Sequence, residues 1–175
     1  MLVAGTFAAD YGRNRVVLRL LERNGYDVRL AHFPLWGTSR HTLLDTSKWR
    51  LARRALTVYP RLFAAVLFGP RADVVLVLYP GQLDVPVVKL AALLRRAPVV
   101  FDVFILLHET AVADRRLRAE RSATARLLAL ADRLACRCAD VVLADTPADA
   151  EYFSRTTGVV RERMRVLWVG GQADL

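Results

Sequence analysis

A chain of 175 residues with 54% hydrophobic content is the size of one domain with a sizeable core. Its net charge of +9, carried mostly by arginine, favours anionic partners: nucleotides, nucleic acid or acidic lipid headgroups. The first residues are apolar without a basic start, so no secretory signal is read, and the stretches Leu62 to Phe68 and Phe104 to Leu107 fall short of the roughly 20 residues that span a bilayer.

In chain order, Met1 to Thr6 predicts a short apolar strand. Phe7 to Gly12 is a loop that holds Asp10 and Tyr11. A helix follows with Val16, Val17, Leu20 and Leu21 on one face, stopped by Asn24-Gly25. Tyr26 to His32 is a second strand. Residues 34–45 are irregular. Thr46 to Phe68 predicts a long helix, bent at Pro60 and closed by Gly69-Pro70. In it Lys48, Arg50, Arg53, Arg54 and Arg61 are interleaved with Trp49, Leu51, Leu56, Tyr59, Leu62, Phe63 and Phe68.

The centre of the chain is the stretch from Ala72 to Asp102. Val74 to Leu78 is an apolar run rich in β-branched residues, broken by Tyr79-Pro80-Gly81. Asp84 can cap a helix, Pro86 suits its first turn, and Val87, Val88, Ala91 and Leu94 recur on one face. Pro98 ends that segment, and Val99-Val100-Phe101 starts a second run that finishes at Asp102. Strand, helix and strand within about 30 residues make a βαβ unit with parallel neighbouring strands. Parallel strands covered on both faces read as continuous apolar runs, as these do.

Val103 to Ala113 reads equally as loop or helix start. Arg115 to Ala139 predicts a helix with an inner stripe of Leu117, Thr124, Leu127, Leu128, Ala131, Leu134, Ala135 and Cys138, and Arg118, Arg126, Arg133 and Arg137 away from it. Val141 to Ala144 is another buried strand. Thr146 and Pro147 start a helix that Gly158 ends. Met164 to Val169 is a last strand, and Gly170-Gly171 leads out of it. The alternation predicts an α/β fold: a Rossmann-like, doubly wound parallel sheet of about six strands over residues 1–170. Residues 171–175 read as the start of a linker. Cys136 and Cys138, two apart on a helix, point in different directions and cannot easily bridge. They are expected to be reduced and structural, which suits a cytoplasmic protein.

Several chemistries are excluded. Gly5 and Gly12 do not form a closely spaced glycine trio, and the second strand ends at His32 with no acidic residue, so an NAD cofactor is not expected. No phosphate-cradling loop with lysine and a hydroxyl residue is present. His32, His41 and His108 lack ligand-spaced partners, so neither metal nor cofactor is expected. Without an aromatic-basic sheet motif or a recognition helix, nucleic acid is not an expected partner.

Function is sought at the carboxyl ends of the strands, where such sheets bind ligands. Gly5 and Gly12 let backbone approach a ligand, and Arg13 and Asn14 stand at a helix mouth that favours phosphate; the alternative is an ordinary tight turn. Asp102 could accept from a sugar hydroxyl, or serve as a helix cap or an arginine's partner. Asp114-Arg115 reads as an ion pair on a cleft wall or as a ligand contact. Tyr79 and Gly81 could shape the floor. Asp145-Thr146 reads as a helix start rather than a ligand contact. The basic-aromatic residues of 48–68 suit an anionic membrane surface, or else the solvated side of a core helix.

The opening GTF-x-x-x-YGRNRVVLRLLERNGYDV, the ADVVLVLYPGQLDVPVVKLAALLRRAPVVFD block, Asp114-Arg115, the DRLACRCADVVLADT segment and the closing RVLWVGGQAD resemble, in order and spacing, the amino-terminal domain of a family 4 glycosyltransferase. That resemblance implies one half of a two-domain GT-B fold, the half that holds the acceptor. The donor-binding half, with its paired glutamates, is absent from this chain. It implies a retaining hexosyltransferase-type enzyme that moves a sugar from a nucleotide-sugar donor to an acceptor hydroxyl, on a glycan or a lipid-linked acceptor. By the same reading the chain alone is incomplete, and it sits in the cytoplasm or peripherally at the inner membrane face. Many relatives carry a histidine two residues after the aspartate that ends the fourth strand; here that place is Phe104, and His108 lies further on, which leaves Asp102 and His108 as weak catalytic candidates. The alternatives are a non-catalytic subunit of a split enzyme that recruits acceptor or membrane, and an unrelated Rossmann-like small-molecule binder.

Overall fold

The computed structural model describes residues 1–35, 48–110 and 122–168, with side chains from Ala52 onward in the second stretch. Six parallel strands form one sheet: β1 (Leu2–Gly5), β2 (Arg29–His32), β3 (Val75–Val77), β4 (Val99–Asp102), β5 (Val141–Ala144) and β6 (Met164–Val166), in the order β2-β1-β3-β4-β5-β6. Among the described residues six α-helices accompany them: α1 (Gly12–Arg23), α2 (Lys48–Phe68), α3 (Asp84–Leu94), α4 (Leu107–Glu109), α5 (Ala123–Cys138) and α6 (Pro147–Thr157). The expected α/β sheet is therefore present, and β3 and β4 are parallel neighbours in register Val75 to Val99 and Val77 to Phe101.

The strands are shorter than their apolar runs. β1 ends at Gly5, whose φ of +146° turns the chain out of the ladder. β2 begins at Arg29 rather than Tyr26, because the Tyr26 N–H donates to Leu21 O and still belongs to the turn that ends α1. The pleat sends successive side chains to two faces. Val75, Val77, Val99, Phe101, Val142 and Ala144 pack under α2, α3, α5 and α6; Val3, Leu76 and Leu78 pack with Val17 of α1 on the other face. Both faces of β1, β3 and β4 are covered, so these strands carry no polar alternation, whereas the edge strands β2 and β6 expose Arg29 and Arg165.

Local signals set most helix ends. Thr146 accepts from the Asp149 N–H with Pro147 behind it, and Gly158 closes α6 at φ +73°. Gly25, at φ +79°, follows the Asn24 cap of α1. α2 runs continuously through Pro60, with Leu62 and Val66 inward and Arg53, Arg54 and Arg61 exposed.

Two expectations are corrected. Asp84 does not cap α3: Leu83 is the cap residue, and the Asp84 carboxylate points across the sheet end to Thr6. The inner stripe of α5 is also displaced. Ala125, Asp132, Ala135 and Cys136 face the core, while Leu127 is 66% and Leu134 49% exposed. Asp132 lies on the inward side. Its carboxylate accepts the N–H groups of Leu107 and His108, satisfying the start of α4, which accounts for a buried acidic group on that side of α5.

Candidate active site

The strand order reverses between β1 and β3, since β2 lies on one side of β1 and β3 on the other. Open sheets of this kind have a crevice at such a point, outside the strand carboxyl ends. Here the crevice wall is made by the loops after β1, β3, β4 and β5, and Arg13 ties three of them together. Its Nε donates to Asp102 Oδ2 at 2.8 Å and its Nη2 to Asp102 Oδ1 at 2.7 Å. Its Nη1 faces the Asp145 carboxylate at the end of β5. Arg13 is 5% exposed and Asp102 fully buried. Burial pushes the Asp102 carboxyl above its ordinary range, and the Arg13 guanidinium works against that shift. A planar, permanently charged fork is the side chain that can serve two carboxylates at once.

Asn14, also buried, joins the next pair of loops. Its Nδ2 donates to Tyr79 O at 2.6 Å and Ala8 O at 2.8 Å. His32 holds the same β1 loop, with its Nε2 at 2.8 Å from Phe7 O and its ring stacked on Phe7 at 4.4 Å. Above the ion pair Tyr11, Tyr79 and Phe104 form a mutual aromatic cluster with centroids 5.4–5.7 Å apart. The Arg13 guanidinium carbon lies 5.1 Å from the centre of the Phe104 ring. Phe104 adopts φ +49°, and a cis peptide precedes Pro80.

A second polar group lies under β1. The buried Asp84 carboxylate accepts the Thr6 N–H at 2.6 Å and the Thr6 hydroxyl at 3.0 Å, and Tyr59 faces it from α2. Burial raises its pKa to about 6 despite these donors. Gly5 is needed here, because a Cβ at that position would sit 2.7 Å from Asp84 Oδ2. Asp132, likewise raised to about 6 by burial, holds the start of α4, and Gln82 reaches both it and Ile105 O.

The structure thus gathers Arg13, Asn14, Tyr79 and Asp102 into one connected cluster, while Gly5 lies apart from it, against Asp84. Arg13 and Asn14 are turned inward to protein partners. Gly12 opens α1 with nothing within 4 Å of its Cβ position, and no side chain caps that helix. Gly81 is a packing glycine: a Cβ there would collide with Val77 Cγ1 and sit 2.6 Å from Leu78 O. His108 is half-buried on α4, anchored through its backbone to Asp132. Asp114, Arg115 and residues 169–175 lie outside the described residues. Sequence reasoning missed Tyr11 and Phe104 as cluster members, Asp145 as the second carboxylate, and Asp84 as the Thr6 anchor. Only contacts between distant loops reveal these roles, and the one local hint was that both aspartates stand beside turns.

No curated protein matches the chain. The family model described as Glycosyl transferase 4-like domain matches residues 7–170, which includes every described part of the cluster. With its six-stranded Rossmann-like sheet, the chain belongs to the glycosyl transferase 4-like domain family.

Proposed function

We propose that this glycosyltransferase domain is the acceptor-binding half of a GT-B enzyme, which transfers a sugar from a nucleotide-sugar donor to an acceptor hydroxyl with retention. The carrying observation is the Arg13 ion-pair cluster beneath the Tyr11–Tyr79–Phe104 rings at the sheet's switch point. Aromatic rings with a few placed polar groups are the lining that a sugar ring needs: apolar faces for its C–H groups and oxygens for its hydroxyls. Asp145, whose side chain is 30% exposed, is the carboxylate positioned to accept from a hydroxyl. Asp102, with both oxygens on Arg13, acts as a positioning residue.

On this reading a second, donor-binding domain closes over these loops. As the donor's C1–O bond breaks, negative charge gathers on the departing diphosphate. The uncapped N-terminus of α1 beside Gly12 offers N–H groups and a positive dipole end to that charge. A lipid-linked acceptor suits this reading, because residues 48–68 present Arg53, Arg54 and Arg61 outward, where they can meet anionic lipid. The test is calorimetry of the chain with saccharide acceptors and, separately, with nucleoside diphosphate sugars. Saccharide binding that Y11A or D145N weakens supports the acceptor assignment. Tight nucleotide-sugar binding with no saccharide binding overturns it.

A further inference from the structure

α3 is apolar apart from Asp84 and Lys89, yet its outer surface is bare. Leu90 is 58%, Leu93 57% and Leu94 66% exposed. On α5, Leu127 is 66%, Leu130 60% and Leu134 49% exposed. α3 and α5 pack side by side, so these leucines stand on the outer sides of adjacent helices. Lys89, on the same flank of α3 as Leu93, reaches past α5's C-terminus to Asp140 at 2.7 Å. Arg133 of α5 turns the other way and donates to Thr156 O of α6, which leaves the leucine edge of α5 toward α3. Exposed leucines gathered on two adjacent helices mark a contact surface.

Charge selects the occupant. Arg126 and Arg137 are exposed on α5, Arg96 at the end of α3, and α2 beside them exposes Arg53 and Arg61. Residues 48–68 contain no acidic residue, and the only carboxylates of α3 and α5, Asp84 and Asp132, are buried. A second copy docked face to face would set arginine rows against each other. An acidic lipid surface accepts the leucines into its acyl boundary and the arginines among its headgroups.

We propose that the outer face of α3 and α5 is the membrane-docking surface of this domain, seated on anionic phospholipid. The inference deepens the membrane contact proposed for residues 48–68, and moves its centre to other helices. The experiment is co-sedimentation of the chain with phosphatidylglycerol–phosphatidylcholine vesicles and with pure phosphatidylcholine vesicles. Binding to the acidic vesicles, weakened by salt, is expected. The exposed double variant L93E/L130E should lose at least tenfold in affinity. R15E, an equal change in net charge on the α1 side of the sheet, should stay within twofold. Circular dichroism checks that each variant is folded. Loss of binding in R53E/R61E with none in L93E/L130E overturns this inference and leaves the contact on 48–68 standing. No binding by the wild type overturns both. A dimer that L93E/L130E dissociates, without vesicle binding, assigns the face to self-association and also overturns it. None of these outcomes touches the acceptor reading, which saccharide calorimetry tests.

Discussion

Arg13 and Asp102, 89 residues apart, face each other through two parallel hydrogen bonds of 2.7 and 2.8 Å in a site almost closed to water. Removing one member strands a buried charge, which costs about 3–5 kcal/mol, whereas replacing both with apolar groups is often close to neutral. R13M should therefore destabilise the chain by that amount, and R13M/D102L should recover part of the loss. Urea unfolding of both variants and of D102L decides this; additive costs would show that the pair is not coupled.

Gly5 and Gly25 separate backbone strain from steric conflict. Both have positive φ, but only at Gly5 would a Cβ strike something, the Asp84 carboxylate at 2.7 Å. G25A should cost about 1–2 kcal/mol from conformation alone. G5A should cost about 3 kcal/mol or more, since strain and overpacking add. Equal midpoint shifts in denaturant would contradict the close approach.

The buried Asp84 carboxyl, raised by burial to about 6 from an ordinary 3.8, makes a signed pH prediction. A carboxyl with a raised folded pKa binds its proton more tightly when folded. Its contribution is full below the unfolded value and is lost as pH rises through the folded one. The stability of the wild type relative to D84N should thus fall between about pH 4 and pH 6, by on the order of 3 kcal/mol, and then level off. Asp132 titrates in the same direction but is common to both proteins and cancels. A difference that rises across this window would reverse the assignment.

The two cysteines should behave differently toward a thiol reagent. Cys136 is fully buried and its thiol is pushed up to about 12 by burial and by Asp132, while Cys138 is partly exposed. Iodoacetamide on the native chain should alkylate Cys138 alone, and both in denaturant. Peptide mass spectrometry reads the outcome, and rapid native labelling of Cys136 would contradict its burial.

The sequence by itself determined the architecture. Continuous apolar runs at Val75–Val77, Val99–Asp102 and Val141–Ala144, separated by helix-length segments with Thr146, Pro147 and Gly158 at their ends, admit little besides a parallel sheet with covered faces. Such signals are local: a cap or a run is written in adjacent residues. Tertiary structure alone decided what the polar residues do. Asp84 looked like a cap and became the anchor of Thr6; Asp145 looked like a helix start and became the second partner of Arg13. Leu127 and Leu134 looked like core and lie outside, on the side of α5 opposite Asp132, which is turned inward to α4. A buried carboxylate must find its donors wherever the fold places them, and that search is not bounded by sequence distance.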